Sequence, residues 1–115
     1  MAKEELAWAA GFFDGEGWST TGRRAGGATY FQLAIQQKDR RVLDRFKKAV
    51  GFGNVNGPYK NSPFRNAKSV ESYRFVWQVN GAKTCQVVNV LWPFLSQAKK
   101  DQISTNMFKL EGMEV

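Results

Sequence analysis

Two acids with chemical consequence stand in the run Ala9-Ala10-Gly11-Phe12-Phe13-Asp14-Gly15-Glu16-Gly17, where Asp14 and Glu16 alternate with glycines at the end of an apolar stretch. What they could do is narrowed by what the chain lacks. Its 115 residues include no histidine, which removes the usual general base, the usual zinc ligand and every Ser-His or Cys-His pair. A single cysteine, Cys85, excludes an internal disulfide framework and a cysteine-rich zinc site. A hydrolase made from these residues must activate water with a metal held on carboxylates, or with an unusual base. Hard oxygen ligands suit Mg²⁺ far better than zinc. An isolated D-G-E-G is most often a solvated turn, so the surroundings of Glu16 decide its meaning.

The charge pattern is the first of those surroundings. Net charge is +7, yet residues 1–17 carry Lys3 against Glu4, Glu5, Asp14 and Glu16, a net of −3. The remainder holds sixteen basic against six acidic residues, a net of +10. A basic body fits a polyanion, with nucleic acid the leading partner. An acidic island beside it would weaken DNA binding unless a divalent cation lay between carboxylate and phosphate. At 43% hydrophobic residues the chain can bury one core, and its length sets the expectation of a single domain over 1–115. No apolar run approaches the ~20 residues of a membrane span. The first residues, Met1-Ala-Lys-Glu-Glu, lack the order of a secretion signal, so an intracellular protein is expected.

The elements that must position these groups follow from periodicity. Glu4 to Phe13 reads as a helix on Leu6, Ala10 and Phe13, stopped by Asp14-Gly-Glu-Gly17. Trp18 to Thr21 is a short strand, Arg23 to Gly27 a basic turn, and Thr29 to Gln37 a second strand. In the latter Phe31, Leu33 and Ile35 share the inner face, while Tyr30, Gln32, Ala34 and Gln36 share the other. Arg40 to Val50 is an amphipathic helix closed by Gly51. Gly53 to Tyr59 forms a third strand and Lys60 to Lys68 a loop. Ser72 to Val79 is the fourth strand, with Tyr73, Phe75, Trp77 and Val79 inward and Arg74 and Gln78 outward. Ala82 to Leu91 is a helix ended by Trp92-Pro93, and Ala98 to about Leu110 a last helix with Gly112 beyond it. The order αββαββαα predicts an α+β fold, a four-stranded antiparallel sheet with helices on one face. The polar residues Tyr30, Gln32, Gln36, Arg74 and Gln78 on the other face suit base edges in a major groove. Arg23, Arg24, Lys60, Arg65 and Lys68, in the two hairpin loops, are placed to reach phosphates.

Residues 9–17 resemble the LAGLIDADG motif, an apolar helix ending in D-G-E-G or D-G-D-G, with Ala10, Gly11, Asp14 and Gly17 matching in identity. The element order, the Gly51-Phe-Gly53 after the second helix and the Pro93-Phe-Leu95 before the last extend the likeness over nearly the whole chain. The resemblance implies a homing endonuclease: a homodimer whose two sheets form a saddle on double-stranded DNA, cutting a long, near-palindromic site with Mg²⁺. Mn²⁺ could replace it, and Ca²⁺ would be a non-catalytic substitute. It also implies an origin in an intron, intein or phage-like element. The residues support the dimer independently. A stripe of Ala7, Ala10 and Gly11 permits close approach of another helix, and with one such helix the partner is a second copy. Two Glu16 carboxylates would then meet near the two-fold axis, needing divalent cations between them.

By the same resemblance the Gly15 carbonyl joins Glu16 as a metal ligand, while Asp14 bonds backbone at the helix end. Gln37 is placed beside the nucleophilic water. Lys99, or its neighbour Lys100, is the lysine at the scissile phosphate. Trp18 is a departure, since the family has a smaller residue there. Large aromatics are mostly buried, so Trp18 is expected in the core; facing outward it would crowd the cleaved groove. Three other functions fit the same sequence: a DNA-binding module without nuclease activity, an RNA maturase on this scaffold, and a small basic protein that binds no nucleic acid.

Overall fold

A computed structural model describes residues 2–61 and 72–114, beginning with helix α1 (Lys3–Glu16). Strands β1 (Gly17–Arg23) and β2 (Thr29–Gln37), helix α2 (Arg40–Val50) and strands β3 (Asn54–Lys60) and β4 (Tyr73–Asn80) follow. Helix α3 (Ala82–Leu91), a 3₁₀ turn at Trp92–Phe94 and helix α4 (Gln97–Glu114) complete the order. The strands lie β1-β2-β4-β3, every neighbouring pair antiparallel. This is the expected α+β architecture. Among the described residues no helix is long and apolar enough to cross a membrane.

The inner face of the sheet makes half of the core. Phe31, Leu33, Ile35, Trp77 and Val79 are buried there, and Phe13, Leu43, Phe46, Val87, Leu91 and Ile103 meet them from the four helices. Phe46 stands at the centre, edge-on to Trp77 at 4.6 Å and 6.3 Å from the Phe13 ring. Such aromatic contacts add packing energy to burial. Trp77 donates its indole N–H to the Phe52 carbonyl at 3.0 Å, so this buried polar atom is satisfied. Thr84, also buried, shares its hydroxyl between the carbonyls of Phe31 and Val79 (2.9 and 3.1 Å), fixing α3 to both central strands.

Local chemistry explains the helix ends. Asp39 caps α2, its carboxylate accepting from the Arg41 amide at 2.9 Å, and Gly51 closes it with φ of 84°, a left-handed conformation that glycine adopts freely. Ser96 caps α4 by accepting from the Lys99 amide at 3.2 Å. Arg45 of α2 reaches Glu5 of α1 at 2.7 Å and lies 3.7 Å above the Trp8 ring. In β3 the register with β4 shifts between Asn56 and Tyr59, around Gly57-Pro58. Proline has no amide to give the ladder, which suits this edge strand.

Three expectations change. Helix α1 does not stop before Glu16 but includes it, because the Gly17 amide bonds the Phe13 carbonyl and completes the last turn. Gly112 does not end α4, which continues to Glu114. Tyr73, expected inward, lies at the start of β4 and is exposed.

Candidate active site and nucleic-acid interface

The end of α1 gathers side chains from three parts of the chain. Glu16 is its last residue, exposed, with no basic residue in that turn. Its carboxylate therefore adds to the negative end of the helix dipole, a combination that favours a cation nearby. Gln37, the last residue of β2, donates from Nε2 to Glu16 Oε2 at 3.2 Å. Lys99, in the first turn of α4, is only 8% exposed. Its Nζ donates to the Gly17 carbonyl at 2.9 Å and to Gln102 Oε1 at 3.1 Å, and stands 5.5 Å from the Phe13 ring centre. Lys100 turns elsewhere, its Nζ 5.5 Å above the Trp92 ring. Of the two adjacent lysines, Lys99 is the one beside the motif.

Asp14 does bond backbone, but at the start of a different helix. Its carboxylate accepts from the Ser96 amide at 3.2 Å and from the Ser96 hydroxyl at 3.1 Å. Ser96 thus serves α4 and the motif together, pinning the helix that carries Lys99 against the one that carries Glu16. It was not singled out in the sequence, although a serine three residues before Lys99 is a capping signal.

The donor set is oxygen only: the Glu16 carboxylate and the Gly15 carbonyl at a bare helix end. Among the described residues no three His, Cys, Asp or Glu side chains lie close enough to hold a metal. The chemistry of these donors fits a hard divalent ion.

The outer face of the sheet follows from the register. Trp18 pairs with Ala34, which pairs with Gln78, which pairs with Asn54. Thr20, Gln32 and Asn80 form the next row, and Gln36, Val76 and Asn56 the row on the other side. Tyr30 and Arg74 share this face too. Gln32 donates to Gln78 at 3.3 Å. Arg24 lies 5.2 Å from the Tyr30 ring. Arg74 donates to Asn61 Oδ1 (3.1 Å) and the Lys60 carbonyl (3.2 Å), and sits 5.6 Å from the Tyr59 ring. Asn54 and Asn56 were missed in the sequence because β3 lacks a clean alternation and only its pairing with β4 fixes their face.

Several expected positions move. Trp18 is not core: it is 40% exposed on the outer face, because β1 pairs Gly17, not Trp18, with the buried Ile35. Ala34, on that same face, is fully buried. Ala10 does not belong to an exposed stripe; it is buried with Ala9 and Phe13 in the chain's own core. Ala7, Gly11 and Gly15 are the exposed small residues, and a Cβ at Gly11 or Gly15 would meet nothing within 4 Å. Arg23 turns toward the helix side and bonds the Met113 carbonyl of α4. The β1–β2 turn with Arg24 and the end of β3 with Lys60 lie at opposite ends of the sheet. Arg65 and Lys68 lie outside the described residues.

No protein-family profile matches the sequence, and no curated protein does. The fold, however, is similar to that of solved homing endonucleases. I-CvuI, in complex with the I-CreI target, aligns with a TM-score of 0.66 and 21% identity, over 97% of this chain and 67% of that one. I-TnaI aligns with a TM-score of 0.66 and 23% identity, over 95% of this chain and 73% of its own. The LAGLIDADG meganuclease I-CpaMI, bound to uncleaved DNA, gives 0.69 and 16%, over 98% of this chain but 39% of that one. I-CvuI structures with DNA were obtained in the presence of Mg in one case and Ca in another. The chain has the fold of the LAGLIDADG homing endonucleases.

Proposed function

We propose that the protein is a site-specific, divalent-metal-dependent endonuclease of double-stranded DNA that acts as a homodimer, of the homing type carried by mobile elements. The observation that carries this reading is the meeting of Glu16, Gln37 and Lys99 at the end of α1. The site lies at one margin of a polar sheet face on a chain of net charge +7. An acid facing DNA is costly unless a cation accompanies it. Exposed Ala7, Gly11 and Gly15 give α1 a surface on which a second α1 packs closely, bringing two Glu16 side chains together.

Each residue then has a task. Glu16 and the Gly15 carbonyl of each subunit would hold the cation. Mg²⁺, when bound, supplies activation of water and relief of negative charge at the phosphate. Gln37, already bonded to Glu16, orients the attacking water. That water forms the new P–O bond and gives its proton to solvent as the scissile P–O bond breaks, and the leaving oxygen takes a proton from solvent. Lys99 places its charge at the phosphate and is held for this by the Gly17 carbonyl and Gln102. The outer face, with Tyr30, Gln32, Gln36, Arg74 and Gln78, reads base edges. Arg24, Lys60, Arg65 and Lys68 hold the backbone.

A second reading has its own observation. Trp18, two residues from Glu16, faces outward, and on a crowded groove the same scaffold would bind DNA without cutting it. One experiment separates the two. A randomised duplex library is incubated with Mg²⁺ and either the protein or Glu16→Gln, and bound and cut fragments are sequenced. The nuclease predicts enriched sites cut only by the unaltered protein. Enrichment without cuts supports the binding module, and enrichment by neither overturns both.

A further inference from the structure

Four tryptophans are present, and the structure accounts for three without a ligand. Trp77 is fully buried and bonded to Phe52. Trp8 stacks on Phe12 at 5.4 Å beneath Arg45, and Trp92 is half-buried under Lys100. Trp18 is different: it is an exposed tryptophan in a sheet face otherwise dominated by Thr, Asn, Gln and Arg. Beside it, at the seam with α4, lies an open groove of about 350 Å³ lined by Gln102, Thr105, Asn106 and Lys109.

Three properties define what such a ring can take. Its cross-strand partner Ala34 is fully buried although it lies on the outer face, so the accessible apolar surface of this row is that of Trp18 itself. Indole is an apolar body with one donor and no acceptor, so it gains little from the acceptors and donors of a base edge and much from an apolar group. In the major groove a base pair presents one apolar group, the C5-methyl of thymine. The position is set by the backbone. Trp18 is two residues from Glu16, so their backbones lie at most about 7 Å apart, the length of about two base pairs of B-DNA.

We propose that Trp18 is a specificity-determining residue whose indole packs on the C5-methyl of a thymine, within about two base pairs of the phosphate that Glu16 attends. This rests on the DNA-binding reading above. Trp18 then gives the target a fixed thymine in each half-site, where the neighbouring rows read hydrogen-bonding edges through carboxamides.

The test uses a duplex enriched by the unaltered protein from the randomised library, with Ca²⁺ in place of Mg²⁺ so that binding is measured without cutting. Each thymine is replaced in turn by uracil, which removes only the methyl, and dissociation constants are compared for the protein and for Trp18→Ala and Trp18→Gln. Thermal melts first establish which variants are folded; with an exposed side chain replaced, both should be. The proposal expects one thymine per half-site at which uracil weakens the unaltered protein about fourfold, the worth of one buried methyl. At that thymine both variants should be indifferent, while their losses at other thymines match the unaltered protein's. An enriched site with no thymine within about two base pairs of that phosphate overturns the proposal, as do uracil effects equal in all three proteins. Failure of the unaltered protein to enrich any duplex overturns the DNA-binding reading itself, a result seen before any uracil is introduced.

Discussion

A lysine that is 8% exposed loses most of its hydration, so its ammonium must be repaid by fixed acceptors. Lys99 has two, the Gly17 carbonyl and Gln102 Oε1, and both belong to the surroundings of Glu16 rather than to a remote ion pair. That arrangement orients a positive charge at the motif. Lys99→Met, which keeps the stem and removes the charge, is expected to lower the cleavage rate by about 10²-fold, the scale of losing one preorganised stabiliser of transition-state charge. Lys100→Met is expected to leave the rate within about twofold, because its Nζ lies over Trp92. Single-turnover cleavage of the enriched site measures both; equal losses would remove Lys99 from the site. Glu16 was legible in the motif itself, and Gln37 was named through the resemblance, which left Lys99 and Lys100 open; only the bonds to Gly17 and Gln102 set Lys99 beside the motif and Lys100 over Trp92. Trp18 was not legible. Its face depends on which residue of β1 lies opposite Ile35, and a shift of one residue reverses every side chain of a strand.

The elements are held by caps and cross-links whose charges can be titrated. Asp39 is exposed, yet its carboxyl is held down from an ordinary 3.8 to about 2, first by the hydrogen bond from the Arg41 side chain and then by the one from the Arg41 amide. A carboxyl whose pKa is depressed by folding contributes stability above its unfolded value and loses it as pH falls toward the folded one. Asp39→Ala should therefore lower the melting temperature by a constant, small amount from neutral pH to about 4. The difference from the unaltered protein should then close between about 4 and 2. Melting curves across that range check it, and a gap that persists at pH 2 would show that Asp39 acts by something other than its charge. The α2 boundaries, from Arg40 to Val50 with Gly51 beyond, were readable because cap, period and stop signal agreed. The end of α1 was not, because Gly15 and Gly17 are breakers by type, and the bond from the Gly17 amide to the Phe13 carbonyl that carries the helix through Glu16 has no signal in the sequence.

At the scale of the molecule, one chain presents the Glu16 carboxylate alone at the candidate centre among the described residues, so the proposed function depends on what α1 packs against. The sequence showed that α1 is rich in small residues but not how the helix is rotated. Burial in the chain's own core takes Ala10 and leaves Ala7, Gly11 and Gly15 outside. Gly11 is the sharpest test of a second copy. A Cβ there meets nothing within 4 Å in the single chain, and leucine is the better helix former by about 0.5–1 kcal/mol. Gly11→Leu should thus leave the fold of one subunit intact or slightly firmer. Against a closely packed partner helix the same side chain has no room. In light scattering the unaltered protein is expected at twice 13.0 kDa and Gly11→Leu at one unit, with unchanged circular dichroism. The variant should also lose cleavage of a full palindrome while retaining weak binding to a half-site, since each chain keeps its own outer sheet face. A Gly11→Leu protein that remains dimeric would move the interface away from α1 and separate the two Glu16 carboxylates. The paired metal site would then be lost, whatever the fold.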